Sequence, residues 1–324
     1  MLSLISKLHN FILVLTYRNT LYLLKIILMY LFIYILVFPI LWLISILPFR
    51  IFYLFSDLIY ILVYYIIGYR KQIVTDNLTL VFPNKSEKEI ITIRKKFYKH
   101  MCDMFLEMIK TMSMSEAEMR KRFQIKNTAY IQELEQRKNI MFMASHYASW
   151  EWGIIVQKDI QSKAFGVYKK IQNPYFDKLV QRIRAKYNSE LLTTKETIPA
   201  VLNNYKKGIK AVYGFISDQS PKLKKTTYWL DFMGINVPVF TGAEMLSKKC
   251  DLAVCYVKVT KIKRGYYEAE FVPLTEEPKQ FKDYEITDMF IKEVEKQLHE
   301  APEYYLWTHK RWKHRGKNPN KIQS

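Results

Sequence analysis

The sequence predicts an α/β protein: a central, mostly parallel sheet flanked by helices, preceded by a membrane-anchoring helical segment at the amino terminus. Three observations lead there. An uncharged run of 24 residues, Ile26 to Phe49, stands near the start. After residue 70, strand-like apolar runs alternate with stretches of helical period. At 324 residues and 50% hydrophobic content, the chain also has enough apolar material for a large core.

The first element is the run IILMYLFIYILVFPILWLISILPF. As a helix it would extend roughly 36 Å, against a hydrocarbon core of about 30 Å. Pro39 and Pro48 are expected to bend or end it. A second apolar stretch, Ile51 to Ile67, is shorter and contains Asp57, so it is expected in the interface or packed on the first. Its aromatics, among them Phe52, Tyr60 and Tyr65, suit headgroup depth. Residues 1–69 thus read as an anchor and 70–324 as the α/β domain. Whether 51–67 spans the bilayer is open at this stage.

In the body, Ser86 with Glu89 forms a capping box. Ile90, Ile93, Phe97, Met101, Phe105 and Met108 then repeat at helical spacing, predicting one long helix over roughly 86–112. Strands are expected at 139–145, 164–168, 209–217, 252–259 and 266–274, the last two as an antiparallel pair. Helices are expected at 174–187, 197–206, 241–249 and 284–300. In open sheets of this kind ligands sit beyond the carboxyl ends of the strands. His146 falls at such an end.

The formal charge of +20 is uneven, with +3 on residues 1–69 and +17 on the rest. Such a field favours anionic partners: nucleic acid, an acidic carrier protein or an anionic membrane surface. A membrane-tethered nucleic-acid-binding protein is one reading of it, but no helix-turn-helix, RRM or KH signature is present, and no nucleic-acid partner is expected. The basic body argues for the cytoplasmic side. Three cysteines without CxxC spacing suggest neither a disulfide framework nor a thiolate metal site. No GxGxxG or GxxxxGK[ST] occurs, so no nucleotide cofactor is expected, and no metal either, since HExxH is missing.

The stretch SHYASWEWG, residues 145–153, carries the chemistry. A histidine near neutrality can accept a proton and return it, provided a group on its other ring nitrogen fixes the tautomer. Glu151, in the first turn of the following helix, is expected to fold back and serve as that group. Ser145 and Ser149 lack a nucleophile elbow, which points to a substrate hydroxyl as the attacking group. A histidine satisfied inside the core is the bland alternative.

The chain resembles the late acyltransferases of lipid A biosynthesis, within the lysophospholipid acyltransferase superfamily marked by HX4D or HX4E. The likeness runs through GYRKQIVTDNLTLVFPNKSEKEI (68–90), SHYASWEWG, GVYKKIQNPYFD (166–177), ISDQSPK (216–222) and APEYYLWTHKRWK (301–313), in the family's order. It implies a glycerol-phosphate-acyltransferase-like fold. It also implies transfer of an acyl chain from an acyl carrier protein thioester to a hydroxyl of a lipid A precursor, at the cytoplasmic face of the bacterial inner membrane. His146 and Glu151 then match the catalytic dyad, and Lys169 stands where relatives often carry arginine, giving a point charge in place of a planar fork. Asp218, Gln219, Arg182 and Arg184 become candidates for oxyanion or substrate binding. Lys310, Arg311 and Lys313 become a headgroup-binding or structural basic segment. A lysophospholipid, an aminolipid or another glycolipid remains open as acceptor, because the hydroxyl chemistry is shared.

Overall fold

The computed structural model describes residues 2–319, with side chains from residue 22 onward. Helix α1 (Leu2–Ile46) holds Pro39 inside it, so that proline does not end the helix; the chain breaks before Pro48, and α2 (Phe49–Ile61) starts directly after that proline. Proline here takes its favoured place at a helix start, where no N–H is needed. A π-helical segment (Leu62–Ile67) prolongs α2 until Gly68, at φ 66°, terminates it. Tyr22–Ile46 and Phe49–Ile67 are both long and apolar enough to cross a membrane.

The two behave differently. Along α1, side chains such as Phe32, Leu36 and Leu43 are exposed. On α2, Ile51, Leu54, Leu58 and Ile61 form an exposed stripe at helical spacing, whereas Phe52 and Ser56 are fully buried against the body. Ser56 donates to Asp103 at 2.7 Å, and Asp57 is paired with Arg264 at 2.8 Å and with Lys99 at 3.3 Å. The acid that looked out of place in an apolar stretch therefore lies on the side of α2 that faces protein.

After α3 (Lys71–Val81) comes α4 (Glu87–Lys110), opened by the expected capping box: Ser86 Oγ accepts from Glu89 N and Glu89 Oε2 from Ser86 N. Lys110, at its other end, donates to the carbonyls of Ser45 at 2.6 Å and Leu47 at 2.5 Å. A lysine thus binds carbonyls at the carboxyl end of α1 and fixes the corner between α1 and α2 on the body.

Then follow α5 (Glu116–Arg122), β1 (Phe123–Ile125), α6 (Thr128–Arg137) and β2 (Ile140–Ala144). A 3₁₀ segment (Trp150–Lys158) leads to β3 (Lys163–Tyr168), α7 (Pro174–Arg184), β4 (Glu190–Thr193), α8 (Thr197–Lys206) and β5 (Ala211–Ile216). A hairpin of β6 (Trp229–Phe232) and β7 (Ile235–Pro238) precedes α9 (Gly242–Cys250), β8 (Ala253–Lys263), β9 (Tyr266–Thr275) and α10 (Glu285–Glu300). The large sheet has the order β1-β9-β8-β2-β5-β3-β4, parallel throughout except for the antiparallel β8–β9 pair. This is the expected α/β class. Central β2 and β5 are near-continuous apolar runs, as strands covered on both faces must be.

One register detail positions the site. Ala144, the last residue of β2, pairs with Ile216, the last of β5. Ser217 N then donates to Ala144 O at 3.1 Å. His146 and Asp218, each two residues further on, leave the sheet side by side.

Candidate active site

His146 Nδ1 lies 2.7 Å from Asp218 Oδ1. The carboxylate is fully buried, while the imidazole keeps 20% of its surface exposed, so the ring reaches outward from an enclosed anchor. Burial works against a charged carboxylate, yet the charge and hydrogen bonds of His146 hold Asp218 below the usual carboxylate range. An ionised Asp218 accepts the Nδ1 proton and leaves a lone pair on Nε2. There the amide nitrogen of Gln219 approaches to 3.3 Å. Trp150 packs edge-on against the imidazole with ring centroids 5.1 Å apart.

Glu151 is not the partner of His146. Arg184, at the end of α7, clamps it with both prongs of its guanidinium: Nε at 2.9 Å from Oε2 and Nη2 at 2.5 Å from Oε1. Two features of the chain cause this. Ala148 adopts φ 50°, unusual for a residue with a Cβ, and turns the loop. Trp150–Lys158 is then a 3₁₀ segment in place of an α-helical first turn. The motif's acid sits 8% exposed beneath the loop and ties it to α7. Bidentate pairing raises the pKa of Arg184 despite its burial, so the guanidinium stays charged.

The strained loop is also held from the other side. Ala148 N donates to Tyr304 O at 2.9 Å, Leu306 N donates to His146 O at 3.0 Å, and Tyr147 forms a bridge to Tyr305. The Tyr147 hydroxyl donates to the carbonyls of Gln297 and Ala301. Residues 304–306, part of the APEYYLW segment, thus buttress the histidine loop. No local signal in the sequence announces these contacts, since they are made by backbone atoms.

The comparisons agree with the geometry. Residues 23–314 match the model of a family described as bacterial lipid A biosynthesis acyltransferase. The chain belongs to that family. It is 26% identical over 260 residues to a lipid A biosynthesis lauroyltransferase of Escherichia coli strain K12, covering 76% of this chain and 80% of that one. It is 24% identical over 249 residues to a lipid A biosynthesis palmitoleoyltransferase of the same strain (76% and 79%), and to a lipid A biosynthesis acyltransferase of Shigella flexneri to the same extent.

In this member of the lipid A acyltransferase family the other candidates are dispersed. Lys169 is exposed directly after β3, two strands from β2 and so roughly 10 Å across the sheet from the histidine strand. Arg182 is exposed on α7, two residues before the inward-facing Arg184 and so on nearly the opposite side of the helix. Lys310 and Lys313 are exposed, but Arg311 is fully buried: Nη1 donates to Pro238 O at 3.1 Å, and the guanidinium lies over the ring of Phe232. Arg311 therefore does not meet headgroups and belongs to the structural part of the basic segment. His309, whose Nε2 faces Ser220 N at 3.4 Å, is pushed down to about 4 by burial and is neutral near pH 7. Ser145 and Ser149 are both buried, Ser145 against the Tyr256 hydroxyl at 3.2 Å, so neither is presented as a nucleophile. Among the described residues no group of His, Cys, Asp and Glu converges as a metal site.

Proposed function

We propose that this protein is a membrane-bound O-acyltransferase that moves a fatty acyl chain from an acyl carrier protein thioester to a hydroxyl of a lipid A precursor. His146 is its general base and Asp218 the residue that orients it. The observation that carries the reading is the 2.7 Å bond from an enclosed carboxylate to a partly exposed imidazole at the carboxyl ends of adjacent parallel strands.

Nε2 takes the hydroxyl proton as the acceptor oxygen attacks the thioester carbonyl, and Asp218 stabilises the imidazolium that forms. Collapse of the tetrahedral intermediate expels the carrier's thiolate, which recovers the proton from Nε2. The donor available to the oxyanion is the Gln219 amide, already beside Nε2, whereas Lys169 lies two strands away. Glu151 acts through structure: it fixes Arg184 and the floor of the loop, so the HX4E acid is a positioning residue. The exposed apolar sides of α1 and α2 support placement in the bacterial inner membrane, and the basic body supports a cytoplasmic orientation with an acidic carrier as donor.

The test is His146→Ala in cells that depend on this protein for one acylation step, read by mass spectrometry of extracted lipid A. Loss of one acyl chain, with the variant still present in membranes, is expected. An unchanged lipid profile would remove His146 as the base. Loss of a chain from phospholipids in place of lipid A would reassign the acceptor.

A further inference from the structure

Beside α2 lies a polar cavity of about 290 Å³ that holds neither His146 nor Asp218; Tyr304, whose carbonyl braces the histidine loop, is the one residue of its lining already met there. Four cations converge on it: Lys96 and Lys99, one turn apart on α4, and Lys261 and Arg264 from the β8–β9 hairpin. Its lining carboxylates are Asp103 and Glu303, and Asp57 pairs with Lys99 and Arg264 from α2, so the four cations exceed the carboxylates around them by one. The other large groove, between β6 and α10, has the opposite balance, with Asp231, Asp288 and Glu295 against Lys292.

The cations fall into two kinds. Lys261 and Arg264 are fixed: Lys261 Nζ bonds His100 Nδ1 at 3.0 Å, and Arg264 forks onto Asp103 and Asp57. Burial, together with the charge of Lys261, keeps His100 neutral, so it holds the lysine without repelling it. Lys96 and Lys99 are exposed rim groups, with side chains 61% and 50% exposed, at 3.5 Å from Glu303 and 3.3 Å from Asp57. Exposed pairs of that kind contribute little and exchange partners readily. Two anchored donors and two adaptable ones suit an oxyanion that accepts several hydrogen bonds.

The cavity also borders the apolar helix α2. Arg264 Nη2 donates to the backbone of Tyr53 on α2, whose opposite side is the exposed Ile51–Leu54–Leu58 stripe, and Ile262 at the hairpin tip is 54% exposed. A Cβ at Gly265 would collide with the Tyr53 hydroxyl, so the hairpin can approach α2 only because that residue is glycine. We propose that this cavity binds a phosphate ester at the membrane surface, the headgroup of an anionic lipid, independently of the acyl-transfer site.

The full-length protein, delipidated in neutral detergent micelles, would be titrated with phosphatidylglycerol, phosphatidylcholine or inorganic phosphate, with bound ligand counted by native mass spectrometry. The expected result is a preference for phosphatidylglycerol that weakens about tenfold in Lys96→Gln/Lys99→Gln, each exposed lysine giving up one charge-assisted contact. Lys292→Gln, which removes the same kind of charge from the far groove, should bind as the wild type does. Displacement of the lipid by inorganic phosphate at comparable concentration would support the site but assign it to free phosphate; failure to displace assigns it to the headgroup. Equal binding by the wild type and the double variant, an equal loss in Lys292→Gln, or no preference among the three ligands would overturn the proposal. Both lysines are exposed, so a matching melting temperature confirms that loss of binding is not loss of fold.

Discussion

Replacing Asp218 with asparagine separates the two assignments that the HX4E motif permits. In the proposed mechanism the imidazolium would sit against a carboxylate that is 2.7 Å away and fully buried. With charge centres roughly 4 Å apart and an effective dielectric constant of about 20, that attraction is about 4 kcal/mol. Full proton transfer in the transition state would convert this to about 10³ in rate, and half transfer to somewhat more than 10. Asparagine adds a second effect: its amide donates to Nδ1, which drives the remaining proton onto Nε2 and removes the lone pair that serves as base. We therefore expect kcat to fall by about 10³ with KM little changed. The assay is initial-rate acyl transfer by the purified full-length protein, with an acyl carrier protein thioester as donor and a lipid A precursor as acceptor, from about pH 5 to about pH 9. A folded Asp218→Asn protein that keeps more than about a tenth of wild-type kcat would refute the assignment.

Glu151→Gln should report differently: it strands Arg184 in a largely enclosed position, lowering stability by about 3 kcal/mol, and its melting temperature should fall more clearly than its kcat once folded protein is compared. Arg184→Lys keeps the charge but not the fork, and should recover only part of that loss. Buried Glu107, which accepts from the Tyr53 and Tyr267 hydroxyls, is raised by burial, and further by Asp103, to about 7. Its folded pKa lies above its unfolded value, so the stability it contributes is complete below about 4.3 and lost as pH rises to about 7. The wild type should melt higher at pH 5.5 than at pH 8, and Glu107→Gln should flatten that difference; a slope of opposite sign in the wild type would contradict the account. Ser86→Ala removes the capping box of α4 and should cost about 1 kcal/mol in thermal unfolding with no change in acyl transfer.

Much of the framework was legible because it rests on local pattern. The long helix after Ser86, the five expected strands and the four expected helices all fall within a few residues of their observed bounds. The helices α3, α5 and α6 were not among those expected, and the strands that escaped were short or lacked a turn signature. β1 has three residues and β4 four, too few to show a period. The β6–β7 hairpin turns on Met233-Gly234, both at positive φ, where asparagine or aspartate before glycine would have marked it. At the site, the histidine and the polar loop at Asp218 could be found, but not their pairing. Sequence proximity favours Glu151, five residues from His146; the partner seen in the structure is 72 residues away and reaches it through strand register, which no local pattern encodes.

The Ala144–Ile216 pairing also bears on how the protein comes into being. His146 and Asp218 meet only once two central strands have zipped together, and the histidine loop gains further braces from residues 304–306. A partly assembled chain therefore lacks the His146–Asp218 pair until β2 and β5 are in register.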